Sequence, residues 1–239
     1  MRTGKMSSTN KPYDLADIFE WDVRNWSHAL KFWHRQSQKI GADRTGLRAL
    51  ELGARGGGLS VMLAGMGIKT TCTDLKNPET TAGPLHKKYN LEDLIDYQAC
   101  DITDIDAESG SFDIVVFKSV LGDLGDLDRQ QQSVKEIYRV IKKGGELWFA
   151  ENLKGSKVHQ VLRSKFIPWA GRWRYLEAKE LNRLLSDSGF ERILHEEYGY
   201  FGAFGRKENQ RNLLALIDQI VMPVIPDHMR YIYFGLAVK

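Results

Sequence analysis

The feature that most constrains this chain is an alternation between about Leu47 and Glu151, where short apolar runs are separated by longer amphipathic stretches. Residues 48–52, 68–73, 95–100, 112–117 and 146–150 read as strands. The run Phe-Asp-Ile-Val-Val-Phe at 112–117 has the composition of a strand buried on both faces. Between them, residues 59–64 and 133–141 read as helices, the latter with Val134, Ile137, Tyr138 and Ile141 at helical spacing. Lys142-Lys143-Gly144-Gly145 supplies cations and glycines suited to a helix C-terminus. Strand and helix alternating at this spacing predict a doubly wound α/β fold, a mostly parallel sheet with helices on both faces.

Beyond residue 151 the alternation loosens. Helices are predicted at 176–187 and 209–221, and strands at 191–198 and 231–238. Two long connections, 153–175 and 199–229, stand out. Connections of that length usually serve function or conceal helices of their own. The expected organisation is a flexible N-terminus at 1–12, a helical cap at 13–46 carrying Trp26, Leu30 and Trp33 at helical spacing, and a main domain at 47–239 with those two insertions.

The chemistry concentrates at strand ends. Ala49-Leu50-Glu51-Leu52-Gly53-Ala54-Arg55-Gly56-Gly57-Gly58 joins a strand ending in a carboxylate to a helix through a glycine-rich turn. Glycine turns the backbone sharply and lets a ligand approach main-chain N–H groups. Asp74 ends the second strand and Asp101 the third. Ligands of open α/β sheets bind beyond the carboxyl ends of the strands, so Glu51, Asp74 and Asp101 are expected around one crevice. A strand-terminal Asp can accept both ribose hydroxyls, and an acid on the next strand can accept an adenine amino group.

With Glu-Leu-Gly-Ala-Arg-Gly-Gly-Gly, Thr-Asp-Leu, Cys-Asp-Ile, Phe-Asp-Ile-Val-Val-Phe and Glu-Ile-Tyr-Arg-Val-Ile-Lys-Lys-Gly-Gly in order, residues 47–151 resemble the class I S-adenosylmethionine-dependent methyltransferases. The resemblance implies a seven-stranded sheet with an antiparallel last strand and S-adenosylmethionine as cofactor. It also implies that Gly53 and Gly57 lie under the methionine part, with Glu51 supporting the loop. Asp74 and Leu75 would lie at the ribose, Asp101 and Ile102 at the adenine, and Lys118 and Ser119 at the border of cofactor and acceptor. One departure is Arg55, which stands where the family pattern has its middle glycine. A guanidinium there can face the methionine carboxylate or solvent. A nicotinamide-dependent oxidoreductase is the competing fold-level reading, but its Gly-x-Gly-x-x-Gly fingerprint fails, with Val61 or Arg55 where glycine is required.

The acceptor is less legible. Phe117-Lys118-Ser119-Val120-Leu121-Gly122-Asp123 lacks the Asn/Asp-Pro-Pro-aromatic signature of the nucleic-acid amino methylases. A net charge of +3 on 239 residues also gives no overall nucleic-acid-binding character. The 153–175 segment carries Lys154, Lys157, Arg163, Lys165, Arg172 and Arg174 with Phe166, Trp169, Trp173 and Tyr175 and no acid. It reads either as a site for an anionic acceptor or as a solvated basic face. For a general base, His159 is the first expectation and Glu151 the second, with Asp123 and the N-terminal His28 and His34 behind them. A small hydroxyl acceptor, sugar-like or anionic, is the leading expectation. C- or N-methylation of a metabolite and a non-catalytic cofactor-binding module stand beside it. Helix 209–221 can cap the pocket, pack against its own domain or form a homodimer interface. Cys72 and Cys100 show no metal spacing and read as reduced buried thiols. No signal peptide and no span of about 18 apolar residues is present, so a cytoplasmic location is expected.

Overall fold

The structure is a computed structural model that describes residues 13–39, 46–166 and 171–239. The flexible segment expected at 1–12 lies outside them, as does Trp169. In chain order the elements are α1 (Leu15–Phe19), α2 (Val23–Gln36), β1 (Arg48–Leu52), α3 (Gly58–Gly65), β2 (Lys69–Asp74) and α4 (Pro78–Lys88). There follow β3 (Ile95–Ala99), β4 (Phe112–Lys118), α5 (Leu127–Val140), β5 (Ile141–Asn152) and α6 (Lys157–Phe166). The chain ends with α7 (Ala178–Ser188), β6 (Arg192–Tyr198), α8 (Glu208–Val221) and β7 (Ile232–Val238).

All seven strands form one sheet in the order β3-β2-β1-β4-β5-β7-β6. Strands β1 to β5 pair in parallel, and β7 runs antiparallel to both β5 and β6. The doubly wound sheet with its antiparallel last strand is therefore present as the sequence predicts. The order turns back between β1 and β4, and the connections that follow them lead to helices on opposite faces of the sheet, opening a crevice.

Strand alternation splits the core cleanly. Ala49, Ile114, Val116, Trp148 and Phe234 face one layer, while Leu50, Val115, Phe117, Phe149 and Tyr233 face the other. The first layer is covered by α2, α3 and α4, the second by α5 and α7. The N-terminal α2 belongs to this core. Trp26 and Trp33 are fully buried, and the Trp33 indole Nε1 donates to the Gly235 carbonyl at 2.9 Å. A Cβ at Gly235 would stand 2.4 Å from the Leu194 carbonyl oxygen, so β7 can pass between β5 and β6 here only as glycine. The Lys-Lys-Gly-Gly stretch lies within β5, where pairing with β4 shifts register and Gly144 takes a φ of 71°. The 153–175 connection contains α6, and 199–229 contains α8 with three short 3-10 turns.

Among the described residues no helix is long and apolar enough to cross a membrane, and no group of three or more His, Cys, Asp or Glu could hold a metal ion.

Candidate active site

A cavity of about 750 Å³ opens at the carboxyl ends of β1 to β5. Seven of the ten cofactor positions suggested by the sequence line it: Gly53, Arg55, Asp74, Leu75, Asp101, Ile102 and Ser119. Its size falls in the range of small-molecule sites, about 300–1,000 Å³.

The glycine turn is built by mutual constraint. Gly53 has a φ of 63°, and a Cβ there would meet Val120 Cγ2 at 2.7 Å. Gly57, at φ 75°, would press on His86 Nε2 at 2.4 Å and Ala82 Cβ at 2.6 Å. It faces α4 and lines no part of the cavity. Arg55 adopts a φ of 49°, the left-handed conformation a glycine would take, so the exchange of residue leaves the turn's handedness intact. Its N–H donates to Asp74 Oδ2 at 2.8 Å, its guanidinium lies 4.8 Å from the Trp21 ring centre, and Nε is 3.7 Å from Glu20. Glu20 also accepts the Gly56 N–H at 2.9 Å.

Glu51 stands behind the turn. Its carboxylate accepts the Ser60 N–H at 2.8 Å, the Ser60 hydroxyl at 2.5 Å and the Leu59 N–H at 3.3 Å. This ties β1 to the first turn of α3, where free main-chain donors need an acceptor. Complete burial pushes its pKa up to about 7. Lys118 lines a narrow crevice behind the turn with Glu51 and Gly53, outside the main cavity. Its ammonium donates to the Phe19 carbonyl at 2.8 Å and lies over the Trp21 ring, and burial lowers its pKa to about 7.

The two strand-end aspartates keep acceptor capacity. Asp74 uses one lone pair for Arg55 and one for the Leu75 N–H at 2.7 Å, and a carboxylate offers about four. The main-chain N–H of Thr103 holds the Asp101 carboxyl below the usual carboxylate range, with the Thr103 hydroxyl adding to it. Carboxylate acceptors flanked by the apolar Leu75 and Ile102, above a turn too tight for a Cβ, fit the ribose, adenine and methionine portions of S-adenosylmethionine.

Neither residue expected as a general base lines the cavity. His159 is buried; its Nδ1 accepts the Ser156 N–H at 3.1 Å and Nε2 faces the Tyr200 carbonyl at 2.8 Å. The ring stacks on Phe204, 4.9 Å away, so Nδ1 holds the start of its own helix while Nε2 and the ring face tie α6 to residues 200–204. Glu151 is fully buried and accepts the N–H groups of Val120, Leu121 and Asn152 at 2.8–2.9 Å. Burial raises its pKa to about 7. Its task is to shape the chain after β4, where Ser119 takes a φ of 58° and accepts the Asn152 amide. His28 stacks on Tyr198 at 3.8 Å, and His34 lies on the exposed side of α2. Asp123 does line the cavity.

The basic segment does not form one face. Lys154 pairs with Glu177 at 3.3 Å, Arg174 pairs with Glu180 and donates to Gln130 at 2.6 Å, and Arg172 is exposed. Arg163 instead turns inward, and with Trp173 and Tyr175 it lines the cavity. Phe166 is exposed beneath the Arg206 guanidinium.

Sequence reasoning missed Asp22. It sits before α2 with a φ of 48° and makes no helix-capping bond with its side chain. It is buried yet lines the cavity, Oδ2 accepts the Tyr231 hydroxyl, and Oδ1 has no hydrogen-bond partner among the described residues. Burial raises its pKa to about 7. In the sequence it resembles an ordinary N-cap, and its partner Tyr231 is 209 positions away.

Residues 50–149 match the family model described as a methyltransferase domain. The chain is 27% identical over 216 residues to a ubiquinone biosynthesis O-methyltransferase of Idiomarina loihiensis, covering 81% of this chain and 86% of that protein. Among solved structures, a phosphoethanolamine N-methyltransferase 2 of Haemonchus contortus, in complex with phosphomonomethylethanolamine and S-adenosylhomocysteine, superposes with a TM-score of 0.62 at 21% identity. That likeness covers 90% of this chain but only 52% of the other, so the chain spans about half the length of the Haemonchus enzyme. A SAM-dependent methyltransferase of Archaeoglobus fulgidus superposes with a TM-score of 0.61 at 14% identity over 89% of this chain and 93% of its own. The matched domain lies on the strands, the glycine turn and the acids that face the cavity, so residues 50–149 form a methyltransferase domain on a sheet with the fold of these methyltransferases.

Proposed function

We propose that this enzyme methylates a hydroxyl oxygen of a small anionic or sugar-like acceptor, with Asp22 as the general base. The observation that carries the reading is a buried carboxylate on the cavity wall with one oxygen unengaged and a pKa near 7. A base is most effective when its pKa lies near the working pH. The O-methyltransferase name of the Idiomarina relative supports the same chemistry.

S-adenosylmethionine, when bound, would supply a methyl group activated on sulfonium sulfur for in-line displacement by the acceptor oxygen. Asp74 takes the ribose hydroxyls, Asp101 the adenine amino group between Leu75 and Ile102, and Gly53 lets the methionine part lie against the main chain. Glu51 and Gly57 hold that turn from behind, Lys118 braces Trp21 beside it, and Ser119 borders the acceptor. Asp22 Oδ1 receives the acceptor's hydroxyl proton while the Tyr231 hydroxyl keeps the carboxylate in place. The acceptor half is walled by the additions to the core: Trp21, Asp22 and Trp26 from the N-terminal segment, Trp173 and Tyr175 after β5, and Ala203 and Arg211 after β6. Enclosure by three separate segments suits a small molecule better than a polymer.

The test is a product assay across hydroxylated and amino metabolites with S-adenosylmethionine, followed by Asp22→Asn. The variant should lose about 10²–10⁴-fold in kcat, the usual contribution of a positioned base, and keep its affinity for S-adenosylhomocysteine. Wild-type kcat/KM should rise with pH through about 7, and the variant's profile should be flat. Products methylated only on nitrogen, or an unchanged kcat in Asp22→Asn, would refute the reading.

A further inference from the structure

Four arginines line the cavity, and three of them have a carboxylate close by. Arg55 lies 3.7 Å from Glu20, Arg129 lies 3.8 Å from Asp101, and Arg211 lies 3.7 Å from Glu208. Arg163 differs. It is 8% exposed on the inner side of α6, and among the described residues no carboxylate pairs with it. Its Nη1 donates to the carbonyls of Leu153 at 2.6 Å and Lys154 at 3.2 Å. The guanidinium lies 4.2 Å from the centre of the Tyr175 ring. A guanidinium has five N–H donors, so the one on Nε and the two on Nη2 are left without a partner among the described residues. The Tyr175 and Tyr231 phenols, neither of them anionic at neutral pH, act on its charge, and His159 lies close enough to interact with it.

A buried charge is ordinarily paired, because taking it out of water without a counter-charge is costly. Arginine cannot relieve the cost by releasing its proton near neutral pH. The carbonyls at the end of β5 and the Tyr175 ring fix the direction of the fork but neutralise nothing. A planar fork held in this way on a cavity wall matches a carboxylate or a phosphate, which two parallel N–H groups can grip.

We propose that Arg163 is the anion-binding subsite of the acceptor pocket and that the acceptor is a hydroxylated small acid, carrying a carboxylate or a phosphate ester. This rests on the reading that the cavity holds an acceptor beside the cofactor. Tyr231 adjoins both ends of the arrangement, acting on the Arg163 charge and donating its hydroxyl to Asp22. The acid and the hydroxyl of the acceptor are thus set apart by a single phenol side chain, and the Trp173 and Tyr175 rings, tilted 36° to each other, give an aromatic wall beside them. Of the other arginines in the segment, Arg172 is exposed and Arg174 is held by Glu180 and Gln130, so neither takes part.

The experiment is a titration of the protein, saturated with S-adenosylhomocysteine, with benzoate, phenyl phosphate and the uncharged benzyl alcohol. Tryptophan fluorescence is the readout, since Trp21, Trp26 and Trp173 line the cavity. Wild type should bind one of the two anions at least about tenfold more tightly than benzyl alcohol, the lower end of a charge-assisted hydrogen bond's worth. Whether benzoate or phenyl phosphate binds more tightly decides between carboxylate and phosphate. Arg163→Gln should remove the preference without changing affinity for S-adenosylhomocysteine, and Arg163→Lys should restore part of it. If Arg163→Gln does not fold, the wild-type comparison and Arg163→Lys still decide.

The proposal is overturned if benzyl alcohol binds as well as both anions, or if neither anion binds below about 10 mM, too weak to reflect a built site. It is also overturned if Arg163→Gln weakens S-adenosylhomocysteine and spares benzoate, because the arginine would then serve the cofactor carboxylate. Failure of O-methylation in the product assay leaves this binding comparison intact, so the two readings can fail separately.

Discussion

Replacing Asp74 by asparagine probes the cofactor site where the structure makes the arithmetic simplest. The carboxylate offers about four acceptor positions, and two are committed, to the N–H groups of Arg55 and Leu75. Two remain, one for each hydroxyl of a ribose. Asparagine keeps one oxygen. If that oxygen stays on Leu75, the new amide points its own N–H groups at the Arg55 N–H, donor against donor, and the glycine turn loses its tie to β2. If it turns to Arg55, the clash moves to Leu75. In either orientation at least one charge-assisted bond to the cofactor is lost, and such bonds contribute about 1.5–3 kcal/mol. At 1.4 kcal/mol per factor of ten, affinity for S-adenosylhomocysteine should fall by about 10- to 150-fold. Isothermal titration of wild type and Asp74→Asn with S-adenosylhomocysteine measures it, and an analogue lacking both ribose hydroxyls closes the cycle. The analogue should bind the two proteins to within about twofold, the usual additivity error between uncoupled changes. Loss of the same size for both ligands would mean that Asp74 acts only through the turn. No loss for either would remove Asp74 from the site.

The turn itself can be tested through stability. Gly57→Ala adds left-handed strain of about 1–3 kcal/mol and a clash with His86 and Ala82 of about the same size. Gly67→Ala, at φ 83° with nothing within 4 Å, adds the strain alone. At about 2–4 °C per kcal/mol, Gly57→Ala should melt several degrees below Gly67→Ala in calorimetry, and equal midpoints would contradict the packing described. The buried Glu151 makes a pH-dependent prediction. Its pKa is raised from 4.5 to about 7, so the stability tied to its proton is full below pH 4.5 and is lost as pH rises through 7. Glu151→Gln carries no such proton. The melting-point gap between wild type and variant should therefore narrow between pH 5 and 8, and a constant gap would refute the assignment.

The elements that sequence resolved best are those whose pattern is set by burial within the segment itself. β1 spans the residues expected of it, and β4 extends one residue beyond, because strands covered on both faces appear as mainly apolar runs. Asp74 and Asp101 were legible because sheet topology alone brings strand ends together, without any knowledge of loops. Asp22 and Arg163 were not. Asp22 becomes unusual only through Tyr231, 209 positions away, and Arg163 only through the absence of an acid in a space shaped by β5, α6 and β7. His159 misled for the complementary reason. Its position after β5 placed it near the crevice, but α6 turned the ring toward Phe204 and the Tyr200 carbonyl while turning Arg163 toward the cavity. His159 and Arg163 are four residues apart and share the buried face of α6, so one turn along the helix axis decides which of them reaches the cavity, and no local pattern records it.

The additions that wall the acceptor half are also joined to each other through one buried carboxylate. Asp218, on α8, accepts the N–H groups of Tyr200, Phe201 and Gly202 at 2.7–3.0 Å and the Asn25 amide at 3.0 Å. Asn25 in turn donates to the Tyr231 hydroxyl at 2.9 Å, and that hydroxyl donates to Asp22. The contact is close enough that a Cβ on Gly202 would lie 2.1 Å from the Asn25 amide nitrogen. α8 also leaves Leu213 and Ile220 exposed, so its place depends heavily on this polar anchor as well as on apolar packing. Buried networks of this kind are costly unless every member is satisfied, and Asn25 Oδ1 and Asp22 Oδ1 both lack partners among the described residues. An acceptor hydroxyl that donates to Asp22 would supply one of the missing partners. On the proposed function, binding the acceptor would then also complete the packing of the N-terminal segment against α8, and would tie the proposed base to the segments that wall the acceptor half.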